Sequence, residues 1–165
     1  MVIPRPDTDP ARVPGNRRGA YIVGGLSALI LTLVSLVWAV VSAVEIGFGR
    51  YLLSVVSAAE QPIGIGVQLG IADVTSFLYA LAFGVSGGLA LAGRKVARGA
   101  LLGVSGIALF NSFRRLAGLT NEVYRNWAVD SVRGVLNVFT DVLFLALTAL
   151  ILVIMGLVAR SSADA

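Results

Sequence analysis

The sequence predicts an all-α integral membrane protein with four transmembrane helices and an interfacial amphipathic helix before the last one. Two counts carry that prediction. Apolar residues make up 57% of the 165 residues and charged residues 13%, whereas soluble domains average roughly 45–50% and about 25%. Thirteen basic and nine acidic side chains cannot coat a water-soluble fold of this size. A third observation places the spans, because the apolar residues fall in long runs that charged residues punctuate. A soluble enzyme, a disordered chain and a nucleic-acid domain built on a basic surface are excluded.

Residues 1–19 read as a polar arm on the cytoplasmic or internal side. Pro4, Pro6, Pro10 and Pro14 alternate there with Arg5, Arg12, Arg17 and Arg18, a composition that stays extended unless a partner orders it. Residues 20–160 form one transmembrane helical domain, and 161–165 a short polar tail. The first span, 20–44, carries no charge and is long enough to cross about 30 Å of hydrocarbon. Small residues at Val41-Ser42-Ala43 resemble a signal-peptidase site, but a signal core is only about 7–15 residues, so this run is read as an uncleaved span.

From Glu45 to about Ala72 the pattern breaks. Gly47, Gly49, Arg50, Glu60 and Pro62 interrupt it, and Tyr51–Ala59 reads as a short interfacial helix. The second span, 74–93, is clean and is followed by Arg94, Lys95 and Arg98. The third, 99–113, reaches only about 22 Å as a helix; Arg98 and Arg114 must snorkel for it to cross. Residues 116–133 then read as an amphipathic helix with Glu122/Arg125 and Asp130/Arg133 as (i, i+3) pairs. The last span, 135–159, holds one charge, Asp141.

Orientation follows from Lys and Arg. With four spans and the N-terminus inside, eight basic residues lie inside and five outside. With three spans and a re-entrant or interfacial third segment, the division is eleven to two. The positive-inside rule favours the second count, while the apolarity of Leu101–Phe110 favours four spans. Both put Arg17, Arg18, Arg94, Lys95 and Arg98 on the inner face.

In the second span Ala80, Gly84, Gly88 and Ala92 recur every four residues, a small-residue stripe suited to close helix packing within the chain or between copies. Candidate chemistry is scarce. Cysteine and histidine are absent, which removes disulfides, the usual zinc and haem ligands, and the base of a Ser–His or Cys–His pair. No cofactor is implied. Gly84-Val85-Ser86-Gly87 and Gly103-Val104-Ser105-Gly106 each match GxSG and resemble the nucleophile motif of rhomboid-type intramembrane serine proteases. That resemblance covers four residues each time and implies a histidine on another helix, which this chain lacks.

Asp141 is the ionisable residue inside a span, and such residues mark proton or ion handling or a buried polar pair. Asn137, one turn earlier, and Asn111 are its expected hydrogen-bond partners. The expected function is that of a non-catalytic structural or assembly membrane protein: a scaffold subunit of a membrane complex or a small envelope or virion membrane protein. The alternatives are a small channel or transporter using Asp141, or an accessory subunit of a membrane enzyme complex. The expected partners are the lipid bilayer, other membrane-protein chains in a homo- or hetero-oligomer, and an internal partner of the arm, with no sequence-specific nucleic-acid binding.

Overall fold

The computed structural model describes residues 12–49, 51 and 65–163. Most of the expected arm, the expected interfacial helix beyond Tyr51 and the last two residues of the tail lie outside them. Among the described residues the fold is helical without a strand: α1 (Arg18–Ile46), α2 (Ile65–Leu91), α3 (Val96–Ala117), the short α4 (Glu122–Asp130) and α5 (Val132–Ala163). Single 3-10 turns precede α1, at Gly15–Arg17, and follow α3, at Gly118–Thr120.

Three helices are long and apolar enough to cross a membrane, over Arg18–Glu45, Val96–Thr120 and Val132–Val158. These include the segment that the sequence makes weakest. Its helix has 22 residues, about 33 Å, because Arg98, Arg114 and Arg115 extend it rather than end it. Long arginine stems let the backbone continue while the charged heads reach outward. The clean second segment lies on a helix of 27 residues, Ile65–Leu91, and its Thr75–Leu91 part is apolar.

The four long helices form a ring in which α1 packs on α2 and α5, and α3 packs on α2 and α5. Alternate direction follows from contacts at both ends. At one end the Val13 N–H donates to the Gly93 carbonyl at 2.9 Å, and Arg12 bridges Arg94. The α2–α3 turn there depends on Gly93, whose φ of 70° is a left-handed value that side chains resist. At the other end Glu45 of α1 pairs with Arg133 of α5. The antiparallel register of α1 and α5 is constant. Glu45 meets Arg133, Trp38 meets Thr140 seven residues further along each helix, and a Cβ at Gly24 would meet Met155.

α1 and α2 approach each other closely. A Cβ on Gly87 would stand 3.1 Å from both the Ala28 Cβ and the Gly25 carbonyl, and one on Gly25 would stand 3.1 Å from the Gly87 carbonyl. Ala80 is buried and Gly84 faces Thr32 on α1, but Gly88 meets open space and Ala92 is exposed. A stripe of four-residue steps drifts about 40° per step around a 3.6-residue helix. Its later members therefore turn off the contact, and the face that packs alternates steps of three and four through Ala80, Phe83, Gly87 and Ala90.

The expected amphipathic helix over 116–133 divides. Leu116 belongs to α3, and Asn121 starts α4 by accepting hydrogen bonds from the Val123 and Tyr124 N–H groups at 3.0 and 3.3 Å, an N-cap that satisfies otherwise orphaned donors. Ser131 ends α4 by donating to the Trp127 carbonyl at 2.9 Å, and accepts from the Gly134 N–H at 2.9 Å to start α5. The break separates Asp130 from Arg133, whose partner is Glu45 rather than the expected (i, i+3) aspartate.

Large apolar side chains point outward on every long helix: Leu33, Val37, Leu81, Val85, Ile107, Phe110, Phe139 and Leu157 are each more than half exposed. The interior near the Arg18 end is also apolar, with Ala28, Leu31, Leu101, Ile151 and Met155 fully buried. This exterior suits hydrocarbon.

Gly87→Leu should cost about 1–3 kcal/mol by forcing α1 from α2, whereas Gly88→Leu, facing open space, should change stability by less than about 0.5 kcal/mol. Unfolding of both variants in detergent micelles checks the difference.

Candidate functional site

Away from the apolar end, the ring encloses a polar cavity of about 70 Å³, room for a short file of waters. Each long helix contributes to it from one face. α1 supplies Ser35 and Trp38, α2 supplies Ser76 and Tyr79, α3 supplies Asn111, Ser112 and Arg115, and α5 supplies Arg133, Asn137, Thr140, Asp141 and Phe144. The α5 residues recur at three- and four-residue spacing and so share one face. From Arg133 to Phe144 the shaft descends about 16 Å along the helix axis.

Arg133 stands at the mouth, with its Nη1 donating to Glu45 and its Nε buried without a partner. Below it Arg115 Nη1 donates to Asp141 Oδ1 at 3.4 Å, a long single contact instead of a bidentate fork. Asp141 is buried, at 6% side-chain exposure, while Arg115 keeps 37%. At the same level the Trp38 indole N–H donates to Thr140 Oγ1 at 3.0 Å. One turn deeper Asn111 Nδ2 donates to the Tyr79 hydroxyl at 2.6 Å, so Asn111 serves Tyr79 and is not Asp141's partner. Asn137 lines the shaft between Arg133 and Asp141.

The floor is aromatic. Tyr79, Phe83 and Phe144 stand with ring centroids 5.9, 5.9 and 6.2 Å apart in the tilted and edge-on arrangements that aromatic pairs favour. Ser35 is 2% exposed at that level, and its hydroxyl has no hydrogen-bond partner. Below the floor, hydroxyls turn back onto their own helices. Ser86 donates to the Ala82 carbonyl at 2.7 Å and Thr148 to the Phe144 carbonyl at 2.6 Å. The Ser86 of the first GxSG sequence is thus tied to backbone, and the glycine after it packs against Ala28 and Gly25 of α1.

Compared with known proteins, this chain matches no family model, no curated protein and no solved structure.

The remaining sequence candidates are not among the lining residues. Arg17, Arg18, Arg94, Lys95 and Arg98 gather at the opposite end, and Ala80, Gly84, Gly88 and Ala92 line no part of the cavity. Arg115, Trp38, Tyr79 and Ser35 are cavity residues that sequence reasoning missed. The available signal was the inward spacing of Ser35, Trp38, Ser42 and Glu45 on α1. Just outside the shaft, burial pushes the Tyr124 hydroxyl of α4 above its ordinary 10.0, the Asp141 charge adds to that rise and Arg115 opposes it.

Arg115→Leu should destabilise the protein by about 1–2 kcal/mol. Removing one member of a buried pair strands the other, and the figure is reduced because Arg115 is partly solvated. Arg115→Leu with Asp141→Leu should recover most of that loss in the same micellar unfolding measurement.

Proposed function

We propose that this chain is a non-catalytic structural or assembly protein of a membrane, spanning it four times with the N-terminus on the cytoplasmic or internal side. The observation that carries this reading is the outward apolar surface of the helix ring, bounded by ends of different charge. Arg12, Arg17, Arg18, Arg94, Lys95 and Arg98 gather at one end with no carboxylate among the described residues there. The other end mixes Glu45, Glu122 and Asp130 with Arg114, Arg125 and Arg133. A basic end of this kind belongs on the cytoplasmic side. α2 supports the fourth span because it lies between α1 and α3 and runs opposite to both. α4, with Tyr124 and Trp127 stacked 5.6 Å apart, suits the headgroup region as an interfacial helix. The short α2–α3 turn and the close-packed α1–α2 face leave the outer faces of the helices to lipid or to other chains.

The absence of cysteine from the sequence makes single-cysteine labelling direct. With four spans, Thr120→Cys should react with an impermeant maleimide from outside intact cells, and Lys95→Cys only after permeabilisation. If α2 does not cross while the other three do, the pattern reverses. Cross-linking in native membranes tests the assembly role, and recovery of the chain only as a free monomer overturns it.

A second reading, a channel or transporter, is favoured by the cavity itself. A single chain offers access from one end only, since Tyr79, Phe83 and Phe144 close the floor. If the cavity is a conduit, Asp141→Asn should alter ion flux into liposomes; equal, negligible flux in variant and wild type removes that reading.

A further inference from the structure

We propose that the polar shaft is a binding site for a small monovalent inorganic anion of halide size, held chiefly by Arg115 and Arg133. This goes beyond the structural role above and does not depend on it.

The argument begins with charge. The shaft is lined by two guanidinium groups and one carboxylate; the carboxylate is buried, while the Arg115 and Arg133 side chains keep 37% and 34% exposure. Glu45 is not part of the lining but pairs with Arg133 at the mouth, where the two side chains are 44% and 34% exposed, so water screens that pair. One monovalent anion brings the lining to neutrality, whereas a cation raises its excess.

The donors agree with the charge. Arg133 Nε–H is buried and unpartnered, and a guanidinium nitrogen can only donate. It therefore calls for an acceptor from outside the chain. Arg115 has five N–H donors and directs one of them to Asp141, at 3.4 Å. Further down, the buried Ser35 hydroxyl is also without a partner, so both the mouth and the floor present unused hydrogen-bonding capacity to the shaft. Of the aromatic lining, Trp38 has spent its N–H on Thr140 and offers an apolar wall, which suits a weakly hydrated halide better than a strongly hydrated cation.

Size sets the class. A cavity of about 70 Å³ takes a single small ion with one or two waters and is too small for a drug-sized organic ligand, which needs roughly 300 Å³ or more.

This assignment reverses the sign of Asp141's role. In a carboxylate-centred cation or proton site, removing its charge abolishes binding. In an anion site Asp141 is the opposing charge that holds Arg115 in place and weakens the ion's hold.

The experiment uses the full chain in detergent micelles, with Trp127→Phe leaving Trp38 as the single tryptophan. Bromide is titrated against gluconate at constant ionic strength while Trp38 emission is followed. A saturable change is expected, unaffected by replacing sodium with N-methylglucamine. Arg133→Gln and Arg115→Gln should each weaken it at least tenfold, Arg98→Gln at the opposite end should leave it unchanged, and Asp141→Asn should tighten it by about tenfold. Circular dichroism confirms that each variant is folded, and the Asp141→Asn arm keeps the test decisive if Arg115→Gln does not fold. Purely linear quenching, a response that follows the cation, or loss of binding in Asp141→Asn overturns the proposal. None of these outcomes depends on how many helices cross the membrane.

Discussion

Hydrocarbon offers no partner to a hydroxyl, an amide or a carboxylate, so polar side chains on a lipid-facing helix must turn toward another helix. That constraint organises this structure. Its exterior carries Leu33, Val37, Leu81, Ile107 and Phe139, while Ser35, Ser86, Ser105, Ser112, Thr148 and Asp141 are buried. The usual arrangement of a soluble bundle is turned inside out. Even so, the interior is not uniformly polar, because helix backbones must also approach closely somewhere to gain dispersion energy. The glycine pair at Gly25 and Gly87 supplies that approach near the basic end, and polar groups collect where the helices leave more room.

Two interior environments therefore lie along one axis, with Tyr79, Phe83 and Phe144 as the boundary. On the apolar side Leu31, Leu101, Ile151 and Met155 fill the space between helices. On the polar side Trp38–Thr140, Asn111–Tyr79 and Arg115–Asp141 each join two different helices. The first two act as fixed ties, since short neutral hydrogen bonds in a low dielectric hold geometry well. The third differs in kind. It is long, one partner is solvated, and it leaves most of a guanidinium unspent, which makes it the adjustable member of the set.

Much of this was legible in the chain and some was not, for reasons that particular residues make clear. Apolar run length identified the helices because lipid exposure imposes it directly on composition. Charge was a poorer guide to helix ends. Arg98 and Arg114 stand at the ends of the third apolar segment in the sequence, yet a backbone remains helical through arginines whose stems lead the charge away. The small-residue stripe was read with a strict period of four, and the helical period carried Gly88 and Ala92 off the contact. Asp141 stood out as a lone intramembrane carboxylate. Its partner did not, because Arg115 lies 26 residues away at what looked like a helix end. Tyr79 carried no signal of its own, and the spacing of Ser35 with Trp38, Ser42 and Glu45 marks a face of α1 without naming its neighbours; only the register between α1, α2 and α5 brings Ser35 and Tyr79 together.

The two ends of the molecule place different demands on an ion. The basic end concentrates positive charge where it meets solvent and salt. Among the described residues, the cavity end mixes Glu45, Glu122 and Asp130 with Arg114, Arg125 and Arg133, so both signs meet at the rim. Selection is left to the shaft, where separation from bulk water makes each unpaired donor count for more. There Arg115 and Arg133 line the cavity with Asp141, and the buried Arg133 Nε has no hydrogen-bond partner. A lone intramembrane aspartate is commonly taken as the centre of its site. In this fold its geometry makes it the counterweight, and the chemistry of the cavity belongs to the arginines around it.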